Sequence, residues 1–333
     1  MISNAPHSLS FKSAVVTGGG GFLGKALVKE LVSKNIKVTT IQRNHYPELA
    51  NLGVAQIIAD IADPNSEKIL LDALKKVDVV FHTAAKVAMW GDLKEFERVN
   101  IQGTKQIVEF ARKSGIKYFV YTSSPSVIAD GTNLRNINES YPYPKHHEAF
   151  YPRTKAIAEQ FVLSQNDTNF HSLSLRPHLI YGPGDTSLEA LVVSRAKAGR
   201  LVKIGSGQNL VDFCYIDDCV AAHICAAQAL IVNPNCRGRA YFISQGVPTK
   251  LWDWIDVALK KNNLPKVSRR VPAWLAKFLG SMLENTAMLS GGRFEPPFTK
   301  FLASEMSTDH YFDISAAKNE LQFIPAKKNI LSW

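Results

Sequence analysis

The chain has 333 residues, 46% hydrophobic and 20% charged, enough for one large domain or two closely packed ones, and this composition excludes disorder. The net charge is +10, with its densest contribution in KKNNLPKVSRR (260–270), a run that reads first as solvated surface and second as contact with an anionic substrate or membrane. It lacks interleaved aromatics and fits no nucleic-acid module, so no nucleic-acid partner is expected.

The N-terminal stretch MISNAPHSLSFK shows no basic region followed by a long apolar core, so a cytoplasmic location is expected. SAVVTG then reads as a first strand. TGGGGFLG (17–24) follows it directly and opens a helix. Gly18 can make the tight turn, Gly21 lets backbone approach a pyrophosphate, and Gly24 allows close helix packing, with Phe22 and Leu23 at the helix start. That placement predicts a dinucleotide site. IKVTTIQ is the second strand, and the residue at its end should meet the adenosine ribose. Here that residue is Gln42, followed by Arg43, where a carboxylate would favour a free 2′-hydroxyl and arginine a 2′-phosphate. NADP(H) is therefore expected over NAD(H). Asp60 and Ile61 after VAQII should lie at the adenine edge; Thr83, Ala84 and Ala85 close DVVFHTAA with small side chains.

FERVNIQGTKQIVEFARKSG reads as one helix and KYFVYTSS as a fifth strand ending in hydroxyls. FYPRTKAIAEQF then sets Tyr151 and Lys155 four apart, on one face of a helix. A cation beside a phenol should favour the phenolate and make Tyr151 a usable acid or base, with Ser124 donating to a substrate carbonyl. The strand–helix alternation predicts an α/β, Rossmann-type doubly wound parallel sheet over residues 10–180. Beyond it, Gly and Pro punctuate RPHLIYGPGD. Residues 212–245 should return to the sheet, while 181–211 and 246–333 should form a smaller, mostly helical substrate-binding lobe.

In that second half, Asp217 and Asp218 read as a cap on the helix CVAAHICAAQALIV, which is too short to span a membrane. Cys214, Cys219, Cys225 and Cys236 show no ligand spacing and are expected reduced; no metal is expected. Trp274, Leu275, Phe278, Leu279, Met282 and Leu283 recur at helical spacing, with Phe294, Phe298, Phe301 and Leu302 beyond. This stripe reads first as core packing and second as a lid over a greasy substrate, lying on a membrane surface.

In this order, TGGGGFLG, HTAA, ERVNIQGT, YTSSPSV, YPRTK and RPHLIYGPGD resemble the extended short-chain dehydrogenase/reductase family, and FDISAAKNELQFIP resembles its C-terminal segment. The resemblance implies catalytic roles for Ser124, Tyr151 and Lys155, places Asn100 in the cofactor and active-site region, and runs Pro177 and His178 past the nicotinamide. YTSSPSV and the C-terminal arrangement are similar to the 3β-hydroxysteroid dehydrogenase and sterol-decarboxylating branch; RNHYPELANLGV, AKVAMWG and TKAIAEQ resemble the bacterial 2-alkyl-3-ketoalkanoate reductases of long-chain olefin synthesis. Both resemblances imply NAD(P)-dependent interconversion of a 3-keto and a 3-hydroxy group on a hydrophobic, lipid-like substrate, and the resemblance to the family as a whole implies a homodimer. Sugar-nucleotide dehydratases carry an Asp-Glu pair where Ser124 and Pro125 stand, and epimerases an arginine where Val211 stands, which disfavours both. An epimerase and a catalytically silent NADP sensor remain the alternatives.

Overall fold

Runs rich in Val, Ile, Thr and Phe, separated by amphipathic segments, have one economical solution: strands buried on both faces, joined by helical crossovers. The computed structural model describes residues 8–290, 294–326 and 329–332. The stretch MISNAPH, on which the expectation of no leader rests in part, lies outside them. The strands are β1 (Ser13–Thr17), β2 (Lys37–Gln42), β3 (Ala55–Ile58), β4 (Val79–His82), β5 (Tyr118–Thr122), β6 (Leu134–Ile137), β7 (His171–Pro177), β8 (Ile180–Tyr181), β9 (Lys203–Ile204), β10 (Leu210–Val211), β11 (Cys214–Tyr215), β12 (Ala240–Ile243), β13 (Thr249–Lys250), β14 (Arg270–Val271) and β15 (His310–Phe312).

Seven of them form a single sheet in the order β12-β7-β5-β4-β1-β2-β3, every pair parallel. The fold class expected from the sequence is the one observed. The chain winds outward from β1 to β3, then returns to the other side through β4, and this reversal opens a crevice at the C-terminal ends of β1 and β4. Helices Phe22–Ser33 and Ile216–Val232 cover one face with Leu27, Cys219 and Ala222 against Val16 and Phe81. Helices Glu67–Leu74, Gly103–Lys113 and Phe150–Ser164 cover the other, where Leu70, Ile107 and Val162 meet Val80 and Phe119. All four cysteines are buried, and none of them forms a disulfide among the described residues.

Asp217 and Asp218 lie inside the first turn of Ile216–Val232 rather than ahead of it. Asp218 is buried because it accepts hydrogen bonds from the Gln245 side chain (3.0 Å) and the Ala326 amide (2.8 Å), fastening the C-terminal segment to the sheet. The segment FERVNIQGT is also not uniform. Glu97–Gln102 is wound as a π-helix before Gly103–Lys113 resumes regular winding.

Beyond the sheet, β13, β10, β15 and β6 form a four-stranded sheet, and β8 pairs with β11 and β9 with β14. A separate core gathers Tyr181, Phe213, Trp252, Trp254 and Leu302. The helix Ala273–Leu289 departs from the core-packing expectation. Its buried positions are the small residues Ala276, Gly280 and Ala287, while Trp274 is 71% exposed, Phe278 56% and Met282 52%. A side chain at Gly280 would put Cβ 2.6 Å from the Lys300 amide nitrogen, so the small face follows from close approach to the segment that starts the helix Lys300–Glu305.

Candidate active site

The sharpest constraint sits after β1. Gly18 has φ +71°, and a Cβ there would lie 2.9 Å from the Ala84 backbone, so only glycine lets the two loops approach. A Cβ on Gly24 would lie 2.2 Å from the Gly18 carbonyl. Thr83 Oγ1 donates to the Thr17 carbonyl (2.7 Å) and the Ala84 amide donates to Thr17 Oγ1 (3.2 Å), joining the ends of β1 and β4. His82 bridges Thr17 and Thr104 through its two ring nitrogens (2.7 and 3.0 Å); burial drives its titration down to about 3, so it remains neutral.

Gly18, Gly21, Phe22, Leu23 and Gly24 line a cavity of about 860 Å³, together with Thr83 and Ala85. Ser124, Tyr151, Lys155, Pro177 and His178 line the same cavity. Much of the remaining wall is apolar, including Val87, Met89, Leu179, Leu191, Phe301 and Phe312. Several of the residues singled out from the sequence are not on this wall. Ala84 sits behind it, against Gly18. Gln42 is buried at the end of β2 with Oε1 unpartnered, and it faces Gly19, whose Cβ would lie 3.1 Å from that oxygen. Arg43 is exposed beside it. Asp60 accepts from Arg98 (2.9 Å) and from the Ala62 amide (2.9 Å), while Ile61 packs where a Cβ on Gly103 would touch it at 2.9 Å.

Asn100 also stands off the wall, and the π-helical turn aims its side chain at two other segments. Its Oδ1 accepts from the Lys86 amide (2.7 Å), and its Nδ2 donates to the Lys86 carbonyl (3.1 Å) and to Thr154 Oγ1 (3.1 Å). The loop after β4 is thereby tied to the helix that carries Tyr151 and Lys155.

Tyr151 is the second residue of Phe150–Ser164, and Lys155 follows one turn later, facing the end of β5. The lysine Nζ donates to the Thr122 carbonyl (2.5 Å) and lies 4.1 Å from the centre of the Tyr121 ring. Burial pulls Lys155 down to about 7, opposed by Glu159 one turn further along. Burial also pushes the Tyr151 phenol up to about 12, with only the Ser124 hydroxyl working the other way. The expectation that Lys155 lowers the phenol's titration is not met in this structure: burial outweighs the opposing bond from Ser124, and the Lys155 Nζ is turned to the Thr122 carbonyl and the Tyr121 ring. Ser124 Oγ accepts from the Ser126 amide (3.2 Å) and hydroxyl (2.9 Å), so its own proton is the one that serves the bond to the Tyr151 phenol.

Lys155 gives a test by titration. An ordinary lysine value is 10.5, so between about pH 7 and 10.5 the unfolded chain holds a proton that the folded chain has released. The cost of burying the charge is full below about pH 7 and is relieved as pH rises through that window. Urea midpoints of the wild type should climb from pH 7 to pH 9 relative to those of Lys155→Met; parallel profiles would refute the assignment.

Two networks have little or no signal in the sequence. Glu159, fully buried, accepts from Arg176 (2.7 Å), Tyr143 (2.7 Å) and Ser174 (2.7 Å). Its place one turn beyond Lys155 is readable; its partners are not. Along the cavity wall, His178 Nδ1 meets Asp212 Oδ1 at 2.5 Å and His178 Nε2 meets His310 Nδ1 at 3.0 Å, while His310 Nε2 meets the Glu305 carbonyl at 2.8 Å. His178, His310 and the Glu305 carboxylate bring candidate ligand atoms within 4.8 Å of one another, a cluster that no spacing in the sequence announces.

Residues 15–272 match the model of the 3-beta hydroxysteroid dehydrogenase/isomerase family. A 2-alkyl-3-oxoalkanoate reductase of Stenotrophomonas maltophilia is 40% identical over 93% of this chain and 94% of its own length. A decarboxylating sterol-4-alpha-carboxylate 3-dehydrogenase of Mus musculus is 31% identical over 94% and 87%. In three dimensions the chain is similar to a UDP-glucuronic acid 4-epimerase from Bacillus cereus in complex with NAD, with a TM-score of 0.71 at 20% identity over 96% and 95%, a likeness of fold alone.

Proposed function

Because the chain belongs to the 3-beta hydroxysteroid dehydrogenase/isomerase family, we propose that it is an NAD(P)-dependent oxidoreductase interconverting a 3-keto and a 3-hydroxy group on a lipid-like substrate. The observation that carries this reading is the convergence of Ser124, Tyr151 and Lys155 on one largely apolar cavity that also opens onto the glycine turn. A branched 3-oxo acid is the favoured substrate, since the 2-alkyl-3-oxoalkanoate reductase aligns at higher identity than the sterol dehydrogenase. The cavity's apolar side chains would solvate an alkyl chain and leave a sugar's hydroxyls without partners.

The residues present fit a dinucleotide. Gly18 and Gly21 line the cavity without side chains, and the buried, unpartnered Gln42 Oε1 faces the same turn at Gly19. Gly18, Gly21, Gly24, Gln42 and Arg43 would hold the phosphates and adenosine, while Thr83, Ala85, Lys155 and Pro177 would border the nicotinamide half. When bound, the cofactor supplies or accepts the hydride at the substrate's carbinol carbon. Ser124 donates to the carbonyl oxygen, polarising and orienting it. Tyr151, protonated at neutral pH because burial holds its titration near 12, gives its proton to that oxygen as the carbonyl becomes an alcohol. Lys155 anchors the end of β5 and would be the group that compensates the phenolate left behind.

NADP(H) over NAD(H) rests on Arg43 following Gln42 with no carboxylate at that strand end. Arg43→Ala should weaken NADPH binding roughly tenfold while leaving NADH nearly unchanged, measured by titrating cofactor fluorescence. Equal losses for both cofactors would overturn the preference. A homodimer and a cytoplasmic location belong to the same reading, the latter supported by four buried cysteines that form no disulfide among the described residues. The lobe built from residues 181–211 and from 246 onward would be the part that selects the substrate.

The whole assignment is tested by following NADPH oxidation with long-chain 2-alkyl-3-oxo acids, 3-ketosteroids and UDP-sugars. Turnover confined to the first two is expected. Turnover of UDP-sugars alone would restore the epimerase, and saturable cofactor binding without turnover of any carbonyl would leave a sensor.

A further inference from the structure

Asp212, His178, His310 and the Glu305 carbonyl form a row along the cavity wall, and the row has more contacts than two neutral rings can supply with hydrogens. A carboxylate and a backbone carbonyl only accept. Asp212 is fixed in that role by Oδ2, which takes the Ser244 hydroxyl (2.8 Å) and the Phe312 amide (3.0 Å). His178 therefore gives its Nδ1 hydrogen to Asp212 Oδ1 (2.5 Å), and His310 gives its Nε2 hydrogen to the Glu305 carbonyl (2.8 Å). A neutral imidazole carries one such hydrogen, so His178 Nε2 and His310 Nδ1 are left facing each other at 3.0 Å as two lone pairs. That approach needs a cation between them. Beside it stands the Glu305 carboxylate, half-buried, with an oxygen within 4.8 Å of a ring nitrogen of each histidine. It accepts no hydrogen bond and forms no ion pair with Lys or Arg among the described residues. A shared proton would satisfy the two nitrogens and leave this anion unpaired on a largely apolar wall; a divalent ion takes all three.

We propose that His178, His310 and Glu305 bind a divalent transition-metal ion, with zinc as the test ion. Two nitrogens on one zinc at roughly 2.1 Å stand about 3.0–3.4 Å apart, a spacing the rings already have. Metal-bound histidines ordinarily give their second ring hydrogen to a carboxylate or a backbone carbonyl, and here one ring has each. Packing holds the rings as well, since His178 stands edge-on to His310 (4.9 Å between centres) and to Phe312 (5.1 Å). Only the Glu305 side chain has to shift to close the set. The site runs against the expectation of no metal, which rested on spacing along the chain, because its two histidines lie 132 positions apart. Three protein ligands leave a further position open, and all three residues line the cavity shared with Ser124 and Tyr151. That position would take the carboxylate of a 3-oxo acid, which the apolar wall otherwise receives poorly. This use rests on the function proposed above; the binding of the ion does not.

The test uses the full chain, free of any affinity tag and stripped with chelator, titrated with zinc by calorimetry and with cobalt(II) by visible absorption. One ion per chain is expected, and the cobalt bands of the wild type are a readout that needs no variant to fold. Glu305→Gln and His310→Asn should each bind zinc at least about tenfold more weakly. NADPH binding within a few-fold of wild type shows that both variants are folded. A wild type that takes up no zinc would mean that the facing nitrogens share a proton only, and zinc binding of wild-type strength by either variant would put the ion elsewhere; each result overturns the site. Turnover of a 3-oxo acid by protein that binds no zinc would remove the site and leave the proposed function standing. Zinc uptake without turnover of any carbonyl would do the reverse.

Discussion

Tyr151→Phe should reduce kcat by at least about a hundredfold, toward ten-thousandfold, while NADPH binds within a few-fold of wild type. General acid catalysis by a positioned side chain supplies an effect of that size, and removing only the hydroxyl leaves the ring's packing in place. The accompanying control is Ser124→Ala. Ser124 is held by two donors from Ser126 and bonds the Tyr151 phenol, so its loss should also lower kcat, without moving cofactor affinity. If Tyr151→Phe keeps wild-type turnover of the true substrate, the phenol is not the proton donor and the proposed chemistry falls with it.

Arg176→Met should be the most damaging single change to stability, costing about 3–5 kcal/mol. Burial works to raise the Glu159 titration, yet the Arg176 charge and the bonds from Arg176, Tyr143 and Ser174 outweigh it and keep the carboxylate ionised. Without the guanidinium, that charge stands uncompensated in the interior, two turns from Tyr151 on the same helix. Glu159→Gln/Arg176→Met should recover part of the loss, because no ion is then buried alone. Urea midpoints of the wild type, single and double variants decide it: a single variant within about 0.5 kcal/mol of wild type would mean that the pair contributes little.

Legibility in the sequence follows the range of the interactions. The parallel sheet is readable because strands buried on both faces are written as short apolar runs, and the glycine turn because its backbone demands leave few residue choices. Tyr151 and Lys155 are readable because four residues on a helix are neighbours in space. The Asp212–His178–His310 chain is not, since it joins residues 34 and 132 positions apart whose meeting depends on how the second lobe folds back. Periodicity fails on Ala273–Leu289 for a different reason. It reports that a helix has an apolar side without saying which way that side turns, and the small residues Ala276 and Gly280 settle the matter by permitting close contact on the opposite side. The Tyr151 titration departs from expectation because helical spacing says nothing about how deeply the phenol is buried.

The wide turn at Glu97–Gln102 acts as a phase shifter. Each residue of regular helix advances the side-chain direction by about 100°, and a looser turn changes that advance locally, so Gly103–Lys113 can keep its apolar side on the sheet while Asn100 points elsewhere. One amide then fixes the spacing between the Lys86 loop and Thr154. The loop after β4 and the helix that carries Tyr151 are in this way gauged against each other by a single side chain, and a drift of either would be felt by both.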